Sequence, residues 1–243
     1  MYLKSRDAFE GKKIGKMEEK MTQNDYEALM RSNRRAIIRQ DRNSHKQRKL
    51  IVLACSTGGP QSLQEVIPLL PADLDAPMVL VQHMPEGFTQ SLAERLNDMS
   101  EICVKEAEHM EKIESGVVYI APGGRHMEVK KSMSGVHHIS LNDHPPIGGL
   151  RPCADKTLES VCGTDYDEIT CVVLTGMGSD ATKGIRALHR KKKIYVIAQD
   201  EASSIVYGMP KVIKSTGLVN EVVPLKEIAK TIIKHVGVKE NGC

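Results

Sequence analysis

The stretch from Leu50 to Pro60, LIVLACSTGGP, constrains the fold of this 243-residue chain more than any other. An apolar, β-branched run stops abruptly at Ser56-Thr57-Gly58-Gly59-Pro60, which is the pattern of a buried strand followed by a tight turn and a helix. Glycines let the backbone turn without a Cβ penalty, and Pro60 suits the first turn of a helix. In an open α/β sheet, ligands bind at such strand ends. Ser56 is therefore the candidate nucleophile.

Apolar runs alternate with amphipathic helical segments from Leu50 to about Val236. Strands are expected at 50–55, 78–82, near 104, 117–121, 169–174, 194–198 and 218–223, and helices at 61–70, 89–97 (capped by Thr89), 153–161, 181–190, near 205–207 and 225–236. Segments 127–129 and 137–141 indicate a hairpin. The fold class predicted is α/β: a doubly wound, mostly parallel, Rossmann-like sheet with helices on both faces and a β-hairpin.

The first 49 residues differ from the rest of the chain in charge. Residues 1–50 carry a net charge of +7 and the remainder carries −4, although the whole chain is only +3. Residues 1–49 are predicted to be a basic linker or arm, with a weak helical pattern between Tyr26 and Ile38, and residues 50–238 the folded domain. Few aromatic residues and no groove-reading motif argue against a nucleic-acid partner.

The composition also bears on compartment and cofactors. No apolar run approaches the ~18–20 residues of a membrane span, and no secretory signal pattern opens the chain, so we expect a cytoplasmic protein without membrane insertion. The six cysteines form no C-x-x-C pair and are predicted to be free thiols, and no metal or other cofactor is expected. Cys55 is an alternative nucleophile, but strand alternation points its side chain away from that of Ser56.

Two further strand ends offer partners for Ser56. The strand predicted at 78–82 leads directly into His83, and sequential strands are usually neighbours, so this imidazole can serve as the general base. The strand ending at Leu174 leads into a glycine-rich turn and Asp180. That carboxylate either caps the helix that follows or orients His83 and stabilises its charged form.

The sequence spacing of Ser56, His83 and Asp180 does not by itself establish a catalytic triad. The chain order Ser, His, Asp differs from the orders in chymotrypsin, subtilisin and the α/β hydrolases, and no Gly-x-Ser-x-Gly elbow is present. An alternative is a Rossmann-like module in which Ser56 to Gly59 cradles a phosphate or nucleotide. Neither of the usual glycine-rich phosphate motifs occurs, however. A third possibility is a serine esterase of the same fold that acts on another substrate.

Six longer motifs carry a resemblance to a known family: those at 55–60 (CSTGGP), 82–85 (QHMP), 119–127 (YIAPGGRHM), 151–155 (RPCAD), 175–181 (TGMGSDA) and 198–210 (AQDEASSIVYGMP). On these motifs, the chain from Leu50 to about Val236 resembles the catalytic domain of the chemotaxis protein-glutamate methylesterase/glutaminase family (CheB-type).

The resemblance implies that residues 50–238 are a methylesterase catalytic domain with Ser56, His83 and Asp180 as its catalytic triad. It further implies hydrolysis of glutamyl methyl esters on the cytoplasmic helices of chemoreceptors, with release of methanol, and deamidation of receptor glutamines. The backbone N–H groups of Thr57 and Met177 are the expected oxyanion donors.

The chain departs from the family pattern at its start. Family members usually carry a receiver domain before the catalytic domain, and the 49 residues before Leu50 are too few for one. We expect either a fragment or a receiver-less form with a basic arm, with a receiver domain then acting in trans. His126, Asn142, Asp143, His144 and the turn 199–201 are further candidates to line the cleft.

Overall fold

A computed structural model of the chain describes residues 48–239. Within these residues the chain forms nine strands, six α-helices and one short 3₁₀ helix, Ile67–Leu69. The strands are β1 Lys49–Cys55, β2 Met78–Gln82, β3 Cys103–Glu106, β4 Val117–Ile120, β5 His126–Lys131, β6 His137–Asn142, β7 Glu168–Val173, β8 Lys193–Gln199 and β9 Glu221–Val223. The helices are α1 Gly59–Val66, α2 Phe88–Asp98, α3 Ala154–Val161, α4 Thr182–His189, α5 Met209–Lys214 and α6 Leu225–Val236.

Seven strands form one parallel sheet in the order β3-β4-β2-β1-β7-β8-β9. The chain builds outward from β1 in one direction and then returns to add β7, β8 and β9 on its other side. The order therefore reverses at β1, and in open α/β sheets ligands bind beyond the carboxyl ends of the strands at such a point. Strands β5 and β6 pair antiparallel as a separate hairpin. The predicted doubly wound sheet with a hairpin is confirmed.

Helices cover both faces of the sheet because the residues of β1 alternate between two apolar cores. Leu50, Val52 and Ala54 pack on the side of α3, α4 and the hairpin, whereas Ile51, Leu53 and Cys55 pack on the side of α1, α2 and α6. All six side chains are at most 1% exposed. A strand buried on both faces explains why its sequence is apolar throughout rather than alternating.

Several local predictions are wrong in detail. No helix forms near Ile205–Tyr207; these residues make a turn, and Tyr207 forms a parallel bridge with Gly176. Helix α2 begins at Phe88 after Gly87, so Thr89 is not its cap; the Thr89 hydroxyl instead donates to Glu106 Oε1 and accepts from the Gly123 N–H. The remaining predicted elements are present with boundaries shifted by a few residues, and β9 is shorter than expected.

The helical pattern between Tyr26 and Ile38 lies outside the described residues, as does the basic arm apart from Arg48 and Lys49, and Lys49 belongs to β1. Across residues 48–239, none of the helices is long and apolar enough to cross a membrane.

Candidate functional site

The carboxyl ends of three neighbouring strands meet around Ser56. Cys55 is opposite Gln82 in the parallel register of β1 and β2, so Ser56 and His83 are the next residues of these two strands. The His83 N–H donates to the Cys55 carbonyl over 3.2 Å, and the Ser56 N–H donates to the carbonyl of Thr175, just past β7, over 3.0 Å. The sheet thus holds the backbone of Ser56 from both sides.

His83 and Asp180 form a close pair at this edge. The distance from His83 Nε2 to Asp180 Oδ2 is 2.7 Å, and the two side chains are 10% and 3% exposed. Because a carboxylate only accepts, Nε2 carries the proton in this contact, and in a neutral ring Nδ1 is left with the lone pair. Nδ1 is then the nitrogen able to accept a proton from a nucleophile. The structure therefore brings His83 and Asp180 together as predicted.

Asp180 is held by the N-terminus of a helix other than the one that follows it. Its Oδ2 accepts from the Ala154 N–H at 2.6 Å, and its Oδ1 accepts from the Asp155 N–H at 2.8 Å. These are the first residues of α3, whereas α4 is capped by Ala181. The interpretation of Asp180 as the cap of its own helix is therefore wrong. The N-terminus of α3 is a favourable place for a negative charge.

Hydrogen bonds stabilise the negative charge of Asp180 although the side chain is buried. Burial alone raises the pKa of a carboxyl group. Here the hydrogen bonds from His83, Asp155 and Ala154 outweigh burial and lower the pKa of Asp180 to about 2. Asp180 is consequently ionised at neutral pH and can stabilise a positively charged imidazole on His83.

The Cys55 thiol does not share this environment. It is fully buried on the side of α1 and α2, and it donates to Gln82 Oε1 over 3.1 Å. Burial raises the pKa of the Cys55 thiol, which keeps it protonated and unreactive. The alternative in which Cys55 is the nucleophile is disfavoured, and the partly exposed Ser56 remains.

Two backbone N–H groups flank Ser56 without acceptors. Those of Thr57 and Met177 donate to no backbone or side-chain oxygen among residues 48–239. The loop that carries Met177 approaches the nucleophile closely: a Cβ on Gly176 would lie 2.8 Å from Ser56 Cβ. Only glycine allows this approach. Free N–H groups in this position suit an oxyanion, although their role remains a prediction.

The sequence placed Gln199 in a turn that lines the cleft, but it is the buried last residue of β8. Its Oε1 accepts from the Thr175 N–H at 2.7 Å, and its Nε2 donates to the Ser203 carbonyl at 2.8 Å. It thereby ties the turn beside Ser56 to the segment that contains Ile205. A polar residue at the buried end of a strand was the available signal, because such a residue must find hydrogen-bond partners.

The other candidate residues have structural contacts. His126 is fully buried and bonds the Pro145 carbonyl at 3.1 Å, so it does not line an open cleft. The Asn142 side chain accepts from the His144 N–H, and Asp143 pairs with Arg125 at 2.9 Å. Asp200 accepts from the Ser203 N–H within its own turn. Among the described residues, no cluster of three or more His, Cys, Asp or Glu side chains has the arrangement of a metal site.

A serine, a histidine and a carboxylate at the switch point of a doubly wound sheet are the side chains that a serine hydrolase requires. The family model for CheB methylesterase matches residues 51–232. This chain belongs to the CheB methylesterase family.

Individual relatives agree with this assignment. The chain is 48% identical over 197 residues to a protein-glutamate methylesterase/protein-glutamine glutaminase of Syntrophomonas wolfei, covering 80% of this chain and 55% of the relative. It is 44% identical over 206 residues to the Bacillus subtilis enzyme of that name, covering 83% and 57%. The crystal structure of the Thermotoga maritima CheB methylesterase catalytic domain superposes with a TM-score of 0.75 at 41% identity, covering 79% of this chain and 100% of that one. The chain spans about half the length of the curated relatives it matches.

Proposed function

We propose that this chain is a serine hydrolase that demethylates glutamyl methyl esters of chemoreceptors, releasing methanol, and deamidates receptor glutamines. The observation that carries the proposal is the His83–Asp180 pair, in which Nε2 and Oδ2 are 2.7 Å apart. His83 follows β2 at the position next to Ser56 in the parallel register. The names of the relatives, protein-glutamate methylesterase and protein-glutamine glutaminase, support the substrate class.

In the first half of the reaction, Ser56 Oγ attacks the ester carbonyl while His83 Nδ1 takes its proton. Negative charge then develops on the carbonyl oxygen, and the N–H groups of Thr57 and Met177 receive it. Asp180 stays ionised, consistent with its pKa of about 2, and stabilises the imidazolium. Fixed donors of this kind need no rearrangement as the charge forms, which is why they are effective.

Collapse of the tetrahedral intermediate breaks the bond to the methoxy group. The imidazolium of His83 gives its proton to that oxygen, and methanol leaves a glutamyl ester on Ser56. A water molecule then attacks the ester with His83 again as base, which restores the Ser56 hydroxyl and releases the glutamate side chain. For a glutamine substrate the same steps release ammonia. The two activities therefore need only one site.

The partner in this proposal is the cytoplasmic helical region of methyl-accepting chemoreceptors, which places the chain in the cytoplasm. The family's receiver domain would then act on it in trans, or from a longer form of the protein. Support for a protein substrate comes from the names of the relatives.

The test is methanol release from membranes that contain methylated chemoreceptors. The wild-type chain should release methanol, and Ser56→Ala should not. Ser91→Ala, a matched change at an exposed serine of α2, serves as the control and should leave the rate unchanged. Wild-type protein that hydrolyses simple esters through Ser56 but ignores the receptors would contradict the substrate while leaving the hydrolase class intact.

A further inference from the structure

Gln82 is a buried polar residue at the junction of the proposed nucleophile and base. It is the last residue of β2, it is 2% exposed, and it precedes His83. A primary amide offers two N–H donors and one acceptor oxygen, and burial without partners is costly. Where its hydrogen bonds go therefore indicates what the side chain does.

All of its polar atoms bond to residues of the site's two strand ends. Gln82 Nε2 donates to the Ser56 carbonyl at 3.0 Å and to the His83 carbonyl at 3.1 Å, and its Oε1 accepts from the Cys55 thiol. One amide group thus joins the main chains of Ser56 and His83 beyond the point where β1 and β2 stop pairing. The register of the two strands ends at Cys55 and Gln82.

Glycine is required at positions 58 and 59 for two different structural reasons. Gly58 has a φ of 83°, in the left-handed region that the turn requires. Gly59 has no such backbone constraint, but a Cβ there would lie 1.9 Å from Gln82 Oε1. The second glycine therefore leaves space for the Gln82 amide. Gly59, after β1, and the Gln82 amide, at the end of β2, are therefore matched in space.

From these contacts we propose that Gln82 is a positioning residue that sets the placement of Ser56 relative to His83, with Gly59 making room for its amide. The inference rests on the proposed serine hydrolase function. Catalysis by a nucleophile and a base depends on their relative placement, and a shift of about 1 Å can lower the rate by roughly 10²-fold. A side chain that fixes both carbonyls restrains that distance without touching the substrate.

The test uses Gln82→Met, which keeps an unbranched side chain of similar length but removes the amide. The second-order rate of labelling by a fluorophosphonate probe should fall roughly 10- to 100-fold, and kcat for ester hydrolysis should fall with it at unchanged KM. Tyr119→Phe is the matched control, because the buried Tyr119 hydroxyl also bridges two main-chain groups, accepting from Glu114 N–H at 3.0 Å and donating to the Lys112 carbonyl at 3.1 Å. It should lower the melting temperature comparably but leave the labelling rate unchanged.

Gly59→Ala provides a second variant that retains the Gln82 amide and displaces it. Alanine has the higher helix propensity, so the cost of this change comes from the new Cβ, which would lie 1.9 Å from Gln82 Oε1. We expect the labelling rate to fall as in Gln82→Met, and the double variant to lose less than the product of the two. Wild-type labelling at Ser56 with no change in Gln82→Met or Gly59→Ala would overturn the inference while leaving the proposed function standing. Absence of labelling in the wild type would instead contradict the proposed function.

Discussion

A histidine and an aspartate meet at both ends of β7, in different surroundings. At the carboxyl end, His83 Nε2 hydrogen-bonds Asp180 at 2.7 Å. At the amino end, His137 Nε2 lies 2.7 Å from Asp165 Oδ1 but lacks the alignment of a hydrogen bond. The two contacts therefore differ in hydrogen-bond geometry, although the residue types and the distance are the same.

The neighbours of each pair explain the difference. Asp180 is held mainly by backbone N–H groups of α3, and within residues 48–239 the imidazole of His83 is the one side chain that forms an ion-pair contact with it. Asp165 is surrounded by the cations Arg48 and Lys131, and the ring of His137 stacks on Tyr166 with centroids 4.1 Å apart. At the carboxyl end, the neighbouring strand carries Ser56 at the position next to His83 in register, which is the arrangement that the proposed role in catalysis requires.

The largest expected difference between the two ends concerns the carboxylates. Asp180→Asn should lower kcat for ester hydrolysis by about 10⁴-fold, because an amide no longer stabilises the imidazolium or holds the required tautomer. Asp165→Asn, the matched change at the amino end, should leave kcat unchanged. Steady-state kinetics on folded variants checks this, and equal losses in both would remove the distinction.

The close approach of the Gly176 backbone to Ser56 gives the next largest expected effect on kcat. Gly176→Ala would place a Cβ 2.8 Å from Ser56 Cβ and 2.5 Å from Met209 Sδ, so the turn that carries Met177 has to move. We expect kcat to fall by about 10²–10³-fold, as when one oxyanion donor is lost. Gly163→Ala, near the amino end of β7, is the control: its Cβ would meet only the Ser160 carbonyl at 3.8 Å. Equal activity in the two variants would count against a role for the Met177 N–H.

The acid stability of the carboxyl end follows from the pKa of Asp180. Because its folded pKa, about 2, lies below the ordinary aspartate value, ionised Asp180 stabilises the fold above about pH 5, and this contribution is lost as the pH falls toward 2. The contribution amounts to about 2 kcal/mol. Denaturant unfolding at several pH values should show a steeper loss in wild type than in Asp180→Asn across this range. Parallel curves would contradict the assignment.

At the amino end of β7, the pH dependence of the stability should appear at a higher pH than at the carboxyl end, and it should be smaller. Burial lowers the pKa of His137, despite the opposing effect of Asp165, so the folded chain binds this proton less readily than the unfolded chain. Stability should therefore fall as the pH drops through the ordinary histidine value of about 6.5. His137→Phe keeps an aromatic ring against Tyr166 and should flatten this part of the curve. A variant as pH-sensitive as wild type between about pH 7 and 5 would assign the effect to another group.

The strand ends were predictable from the sequence, and so was the meeting of their residues. Apolar runs that stop at Ser56, His83 and the turn before Asp180 indicate parallel strands, and parallel strands bring their carboxyl ends to one edge. Local pattern was enough here because each residue lies within a few positions of its own strand.

Contacts between distant segments were not predictable in the same way. Asp180 bonds the start of α3, 26 residues earlier in the chain. Similarly, the Thr89 hydroxyl bonds Glu106 and Gly123 rather than its own helix. Capping rules consider residues within one turn, whereas these polar groups found partners through tertiary packing. The Gln82 amide belongs to the same class, since its orientation depends on how β1 and β2 align.

We infer that Ser56 is the nucleophile activated at the carboxyl end of β1. The most direct measurement is mass spectrometry of the chain after reaction with a fluorophosphonate probe. We expect one adduct, located on Ser56, that disappears in Ser56→Ala and forms far more slowly in Asp180→Asn. An adduct on another residue, an adduct that persists in Ser56→Ala, or no adduct on the folded wild-type chain would show that Ser56 is not the nucleophile.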